Sequence, residues 1–263
     1  MGIGVKIAAD WHAALAALAW QVDLGVDEVI GDHAIDRYEL PETTKPAPVS
    51  PRAAAPAPVF VEAPKIDPVE VARSIAARAT SLDALRDGLA SFDLCDLKKG
   101  ARNAVFADGN PAARVLILGE APGLEEDREG RPFVGRAGQL LDRMFAAIGL
   151  SRTSPDPEAS LYITNVMPWR PPGNRDPEPA EIAMMRPFVE RHVALMDPDV
   201  IVVMGNTPLF ALTGQKGILR ARGTWSKALE RPLLPMTHPA YLLRNPVAKR
   251  EAWADLLAIR ERL

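Results

Sequence analysis

The chain has 263 residues, room for one large domain or two small ones, and its 48% share of hydrophobic residues is ample for a core. A single cysteine, Cys95, excludes an internal disulfide, and no apolar run approaches the roughly 20 residues that span a bilayer, so the expected compartment is the cytoplasm. The net charge of -3 is unevenly spread: residues 1–93 carry 8 Lys and Arg against 14 Asp and Glu, and residues 94–263 carry 23 against 20, so the second part is mildly basic and permits DNA contact without demanding it.

The start, Met1 to Lys6, lacks the Ser or Thr of a myristoylation signal, and Asp10 interrupts any secretory apolar region, so no targeting segment is expected. From about Asp10 to Ile30, apolar residues recur at helical spacing (Trp11, Leu15, Leu18, Val22), which predicts one amphipathic helix. Leu40 to Pro68 is crowded with proline and alanine, a composition that cannot build a packed core and reads as an extended, mobile linker. The expected organisation is therefore an amphipathic helical segment over 1–38, a linker over 39–66 and one larger domain over 67–263.

Helical pattern resumes from about Pro68 to Ala79, and a second, capped helix is expected from Ser81. From Arg114 onward, short apolar strands alternate with helices. The strands are Val115–Leu118, Leu161–Thr164, Val200–Val203 and Leu233–Met236; the helices lie near Ala137–Ile148, Pro179–Met196, Thr207–Leu212 and Pro246–Leu263. Such alternation predicts an α/β fold of three layers, α/β/α, around a central, mainly parallel four-stranded sheet. Ligands of such sheets sit at the carboxyl ends of the strands. Polar residues fall there: Gly119-Glu120-Ala121-Pro122-Gly123, Thr164-Asn165, Gly205-Asn206 and Thr237-His238-Pro239.

Gly119 to Gly123 places two glycines and a proline around one carboxylate, so the backbone can turn tightly and approach a ligand. Alone, the same pattern fits a phosphate loop or a plain strand exit, although no Lys-Ser/Thr and no dinucleotide fingerprint follows it. The continuation, Gly130-Arg131-Pro132-Phe133-Val134-Gly135-Arg136-Ala137-Gly138-Gln139-Leu140-Leu141, is more distinctive. Behind it stand Ile163-Thr164-Asn165-Val166, Arg170-Pro171-Pro172-Gly173-Asn174-Arg175 and His238-Pro239-Ala240-Tyr241-Leu242-Leu243-Arg244. These motifs, in this order and spacing, closely resemble those of the family 4 uracil-DNA glycosylases, from about Phe92 to the last residue.

The resemblance implies hydrolysis of the bond between uracil and its sugar in DNA, with uracil-containing DNA as partner and free uracil as product. It implies that Glu120 polarises the attacking water or stabilises the cationic sugar, duties that suit a carboxylate. His238 is implied as the donor to uracil O2, an oxyanion-hole role open to a neutral imidazole. Ala121, Gly123, Phe133 and Asn165 form the implied uracil-binding set, with Phe133 stacking on the flipped base and the Asn165 amide reading N3–H and O4. Leu242 and Leu243 are implied as the wedge that fills the vacated stack, with core leucines as the competing reading for one of them. Arg244, Arg170 and Arg175 are implied as phosphate contacts.

The family holds a 4Fe–4S cluster through four cysteines. Here those positions carry Phe92, Cys95, Trp169 and, by the most plausible alignment, Met185. One cysteine cannot hold a cluster, so no cofactor and no metal is expected, and a hydrophobic plug is expected in the cluster's place. The N-terminal helix is left with two partners, its own domain or another protein. Two other functions compete: a glycosylase for a different deaminated or modified base, and a non-catalytic relative that binds damage. Intact Glu120, Asn165 and His238 speak against the second.

Overall fold

The computed structural model describes residues 11–26 and 67–263, and the chain divides into two units, Met1–Val61 and Glu62–Leu263. In the first unit, helix α1 spans Trp11–Asp23. It is shorter than the expected helix over 10–30, because Gly25 turns the chain with φ +87°. Trp11, Leu15, Leu18 and Val22 are exposed, and so is Trp20, which lies about two and a half turns beyond Trp11 and so on the opposite side. The helix is thus apolar on both sides rather than amphipathic. The expected linker over 39–66 lies outside the described residues.

The second unit opens with α2 (Pro68–Arg78) and α3 (Leu82–Ala90). Asp67 caps α2 through a 2.9 Å bond from Val69 N–H, with Pro68 in the first turn, and Ser81 caps α3 through a 3.1 Å bond from Ala84 N–H. After a single turn, α4 (Leu97–Gly100), come β1 (Ala107–Gly109), β2 (Val115–Gly119), α5 (Leu124–Glu129), α6 (Arg136–Ala146) and β3 (Leu161–Asn165). The chain continues through α7 (Pro179–Met196), β4 (Val200–Met204), α8 (Asn206–Thr213), α9 (Ile218–Ala221), β5 (Ser226–Ala228), β6 (Arg231–Met236), α10 (Pro239–Arg244) and α11 (Lys249–Arg262).

The strands form one sheet in the order β1-β3-β2-β4-β6-β5, with β3, β2, β4 and β6 parallel and the two edge strands antiparallel. All four parallel strands coincide with the sequence reading. The edges have three residues each, too short to leave an alternation pattern in the sequence. Every residue of β2, β3 and β4 is buried, as a parallel sheet covered on both faces requires. Alternate side chains serve opposite layers. Leu116, Leu118, Ile201 and Val203 join the core under α2, α3 and α7, while Val115, Ile117, Val200 and Val202 join the core under α6, α10 and α11. Burying each such side chain contributes at most about 1.5–3 kcal/mol.

From β2 the chain crosses to β3 on one side, and after α7 it returns to β4 on the other. The direction of winding therefore reverses at β2, which opens a crevice beyond the carboxyl ends of β2 and β4. Among the described residues, no helix is long and apolar enough to cross a membrane.

Candidate active site

A cavity of about 670 Å³ lies at this crevice, and all four parallel strands deliver residues to it: Glu120 after β2, Asn165 at the end of β3, Thr207 beyond β4, and Thr237 and His238 beyond β6. The Glu120 carboxylate accepts a 2.6 Å hydrogen bond from Thr207 Oγ1. Burial pushes its pKa above the usual carboxylate range, the Thr207 bond pulls it down, and the nearby charge of Asp176 pushes it up again.

Asn165 is only 7% exposed, and its Oδ1 has no hydrogen-bond partner. An orphaned buried acceptor is costly unless a ligand satisfies it. Gly119 makes room for this amide: a Cβ there would lie 2.3 Å from Asn165 Oδ1 and 2.5 Å from the Phe133 ring. Phe133 is buried, its ring stacked on the His238 imidazole with centroids 5.4 Å apart. It holds a left-handed φ of 53°, which a bulky residue adopts only when its surroundings enforce it. Two features enforce it here. Arg152 donates to the carbonyls of Pro132 and Phe133 at 2.8 and 2.9 Å, and Gly138 of α6 packs so closely that a Cβ would fall 1.7 Å from the Phe133 carbonyl oxygen.

Nδ1 of His238 accepts a 3.1 Å bond from Ala240 N–H. A neutral ring bonded in this way carries its proton on Nε2. Burial, with a smaller push from Arg244, lowers the His238 pKa to about 4, so at neutral pH the ring is an uncharged donor. Ala121 and Gly123 line the cavity, and Glu126 ties the loops together by accepting from Gly123, Val134 and Gly135 N–H at 3.0, 3.0 and 2.9 Å.

The residues implied for DNA contact are more dispersed. Arg244 is exposed at the cavity rim. Arg175 also lines the cavity, but its guanidinium is held by both Glu181 oxygens at 2.6 and 2.9 Å. Arg170 bonds Asn174 Oδ1 at 2.7 Å and lies outside the cavity wall. Leu242 does not fit the wedge expectation: it is 0% exposed in the core under α6 and α11, so it has no free surface to insert between bases. Its neighbour Leu243 is half-buried. Sequence reasoning gave no role to Thr207 or Glu126, nor to Thr237 and Tyr241, which stand in stretches it had singled out; the available signal for Thr207 was its place two residues past Gly205, just beyond β4, which pairs with β2.

With the geometry in hand, comparison with known proteins is informative. Residues 106–257 match the family model described as the uracil DNA glycosylase superfamily. The chain belongs to the uracil-DNA glycosylase superfamily. It is similar to a type-4 uracil-DNA glycosylase of Sulfurisphaera tokodaii, 38% identical over 191 residues that cover 69% of this chain and 84% of the relative. Type-4 uracil-DNA glycosylases of Thermotoga maritima (41% identical, covering 57% of this chain and 77% of the relative) and Saccharolobus solfataricus (37%, covering 70% and 87%) are similar too.

The resemblance to the family 4 enzymes implies an iron–sulfur cluster, and the residues present do not fit one. Phe92, Cys95, Trp169 and Met185 are all buried in the core under α2, α3 and α7, at exposures of 1%, 0%, 2% and 0%. Three of the four offer no thiolate, and burial pushes the Cys95 thiol pKa up, away from the form that binds metal. The Phe92 ring instead meets Phe188 of α7 edge-on at 5.6 Å.

Proposed function

We propose that this protein removes uracil from DNA by hydrolysing the bond between N1 of the base and C1′ of the sugar, leaving an abasic site for base-excision repair. The observation that carries this reading is the convergence, in one cavity, of a hydrogen-bonded carboxylate (Glu120), an orphaned amide oxygen (Asn165 Oδ1) and a neutral imidazole with its Nε2 proton free to donate. The similarity to type-4 uracil-DNA glycosylases supports the choice of base.

In this reading, Asn165 Oδ1 accepts from uracil N3–H and its amide nitrogen donates to O4. As the C1′–N1 bond breaks, the electron pair leaves with uracil. His238 Nε2–H stabilises the charge that develops on O2, a contribution largest in a site that excludes water. Glu120 opposes the positive charge on the sugar and takes a proton from the water that adds to C1′. Phe133 lies against the base, Leu243 serves as the wedge, and Arg244, Arg170 and Arg175 contact phosphates.

The test is release of uracil from a uracil-containing oligonucleotide, run beside the same strand with hypoxanthine or xanthine. Wild-type protein should release uracil, and Glu120→Gln should slow release by about 10²–10⁴-fold with DNA binding retained. Release of only hypoxanthine or xanthine, or a Glu120→Gln variant within a few-fold of wild type, would overturn the reading.

A further inference from the structure

The Glu120 carboxylate is bonded to a residue that follows a different strand of the sheet, and none of the motifs that carry the family resemblance contains it. Thr207 sits in the first turn of α8, just past β4, at 7% exposure. Its hydroxyl spans the crevice between β2 and β4 and donates to Glu120 Oε2 at 2.6 Å. A hydroxyl has one proton to give, and here it is directed at the carboxylate. We propose that Thr207 is the positioning residue for Glu120: by donating to one carboxylate oxygen it fixes the rotamer of the side chain and leaves the other oxygen for the attacking water. This inference rests on the role assigned to Glu120 above.

The surroundings of Glu120 make such a donor necessary. Burial disfavours its ionised form, and Asp176, from the loop before α7, adds a like charge. The other titratable groups that face the cavity are Glu126 from α5, Arg175 beside Asp176, His238 at the start of α10, and Tyr241 and Arg244 from α10. Arg175 is neutralised by its ion pair with Glu181, and His238 is uncharged at neutral pH. Thr207 is the group whose hydrogen bond lowers the Glu120 pKa, so it favours the state in which a general base works. The backbone supports the arrangement on both sides. Glu120 is anchored through its carbonyl, which accepts from Met167 N–H at 2.9 Å, while Asn206 Oδ1 accepts from Gly217 and Ile218 N–H at 3.0 and 2.9 Å and braces the segment that carries Thr207.

The test compares Thr207→Val, which keeps shape and loses the donor, with Thr207→Ser, which keeps the donor, over a full pH profile of single-turnover uracil excision. Loss of the donor raises the Glu120 pKa, so the acidic limb of the Thr207→Val profile should move to higher pH. On that limb the rate should fall about tenfold or more below wild type, the scale of a hydrogen bond to a charged group, with a smaller loss on the plateau. Thr207→Ser should restore the wild-type limb. A Thr207→Val limb that coincides with wild type overturns the proposal. If the valine variant folds poorly, the Glu120 carboxyl of Thr207→Ala is titrated directly by carbon-13 NMR in free enzyme, and an unchanged titration midpoint overturns it equally. Glu120→Gln, measured in parallel, separates two failures: if it stays active, the role of Glu120 is wrong; if it is inactive while the Thr207→Val limb is unmoved, only the role of Thr207 is wrong.

Discussion

Asn165 is the side chain on which the choice of base should turn in the proposed reaction. Its amide is held at the end of β3, with Oδ1 buried and unpaired and with Gly119 and Phe133 packed against it, so it has little freedom to turn over. Uracil presents an N3–H donor beside an O4 acceptor, whereas cytosine presents an N3 acceptor beside an amino donor. A fixed amide satisfies one of these patterns, and a buried site built for one substrate rejects the mismatched analogue by up to about 10⁴–10⁵-fold. Asn165→Asp replaces the donor with a second acceptor, which repels O4 and suits the cytosine amino group. This variant should lose most uracil excision and gain weak cytosine excision, measured on matched oligonucleotides. Wild-type uracil excision by Asn165→Asp would mean that the amide does not face the base. Gly119 belongs to the same argument, since any side chain there would displace both the amide and the ring.

The elements that carry these residues are themselves held by polar side chains, with Glu126 of α5 foremost. Its two oxygens accept from three backbone donors, one in the loop after β2 and two in the segment that follows Phe133. The carboxylate therefore links the loop of Glu120 to the loop of Phe133. Glu126→Ala strands these donors, at a cost of about 1–3 kcal/mol, which for a domain of this size lowers Tm by roughly 2–12 °C. Excision should fall as well, because Gly123 and Phe133 lose their common anchor. Thermal melts and uracil release on the same preparation check this; an unchanged Tm would show that the loops are held by α6 and Arg152 alone.

At the scale of the whole molecule, the residues assigned to catalysis and base recognition all lie in the unit Glu62–Leu263, and the match to the family model lies within it too. A fragment over 66–263 should therefore release uracil at a rate within a few-fold of the full chain. Loss of all activity from a folded fragment would show that the first unit completes the site. The same unit carries its own core where its relatives' resemblance implies a metal cluster. Phe92, Trp169 and Met185 supply dispersion and apolar burial there, while the Arg175–Glu181 ion pair and the Arg170–Asn174 bond tie the neighbouring loop.

The sequence alone determined the sheet, because residues buried on both faces of a parallel strand must be apolar throughout, and Val115–Leu118 and Val200–Val203 carry that mark. It also placed Glu120, Asn165 and His238 at the ends of strands, and because parallel strands end on one side they line one cavity. The three-residue edges left no trace, being shorter than the run of about four to eight residues over which strand alternation can be recognised. Two further matters were decided only by tertiary structure. Leu242 and Leu243 are neighbours of the same chemistry, and the packing of α10 on α6 alone determines that Leu242 is core and Leu243 is half-exposed. Thr207 reads as an ordinary residue at a helix start, and it becomes a partner of Glu120 because β4 is paired beside β2, a contact between residues 87 positions apart that local sequence cannot encode.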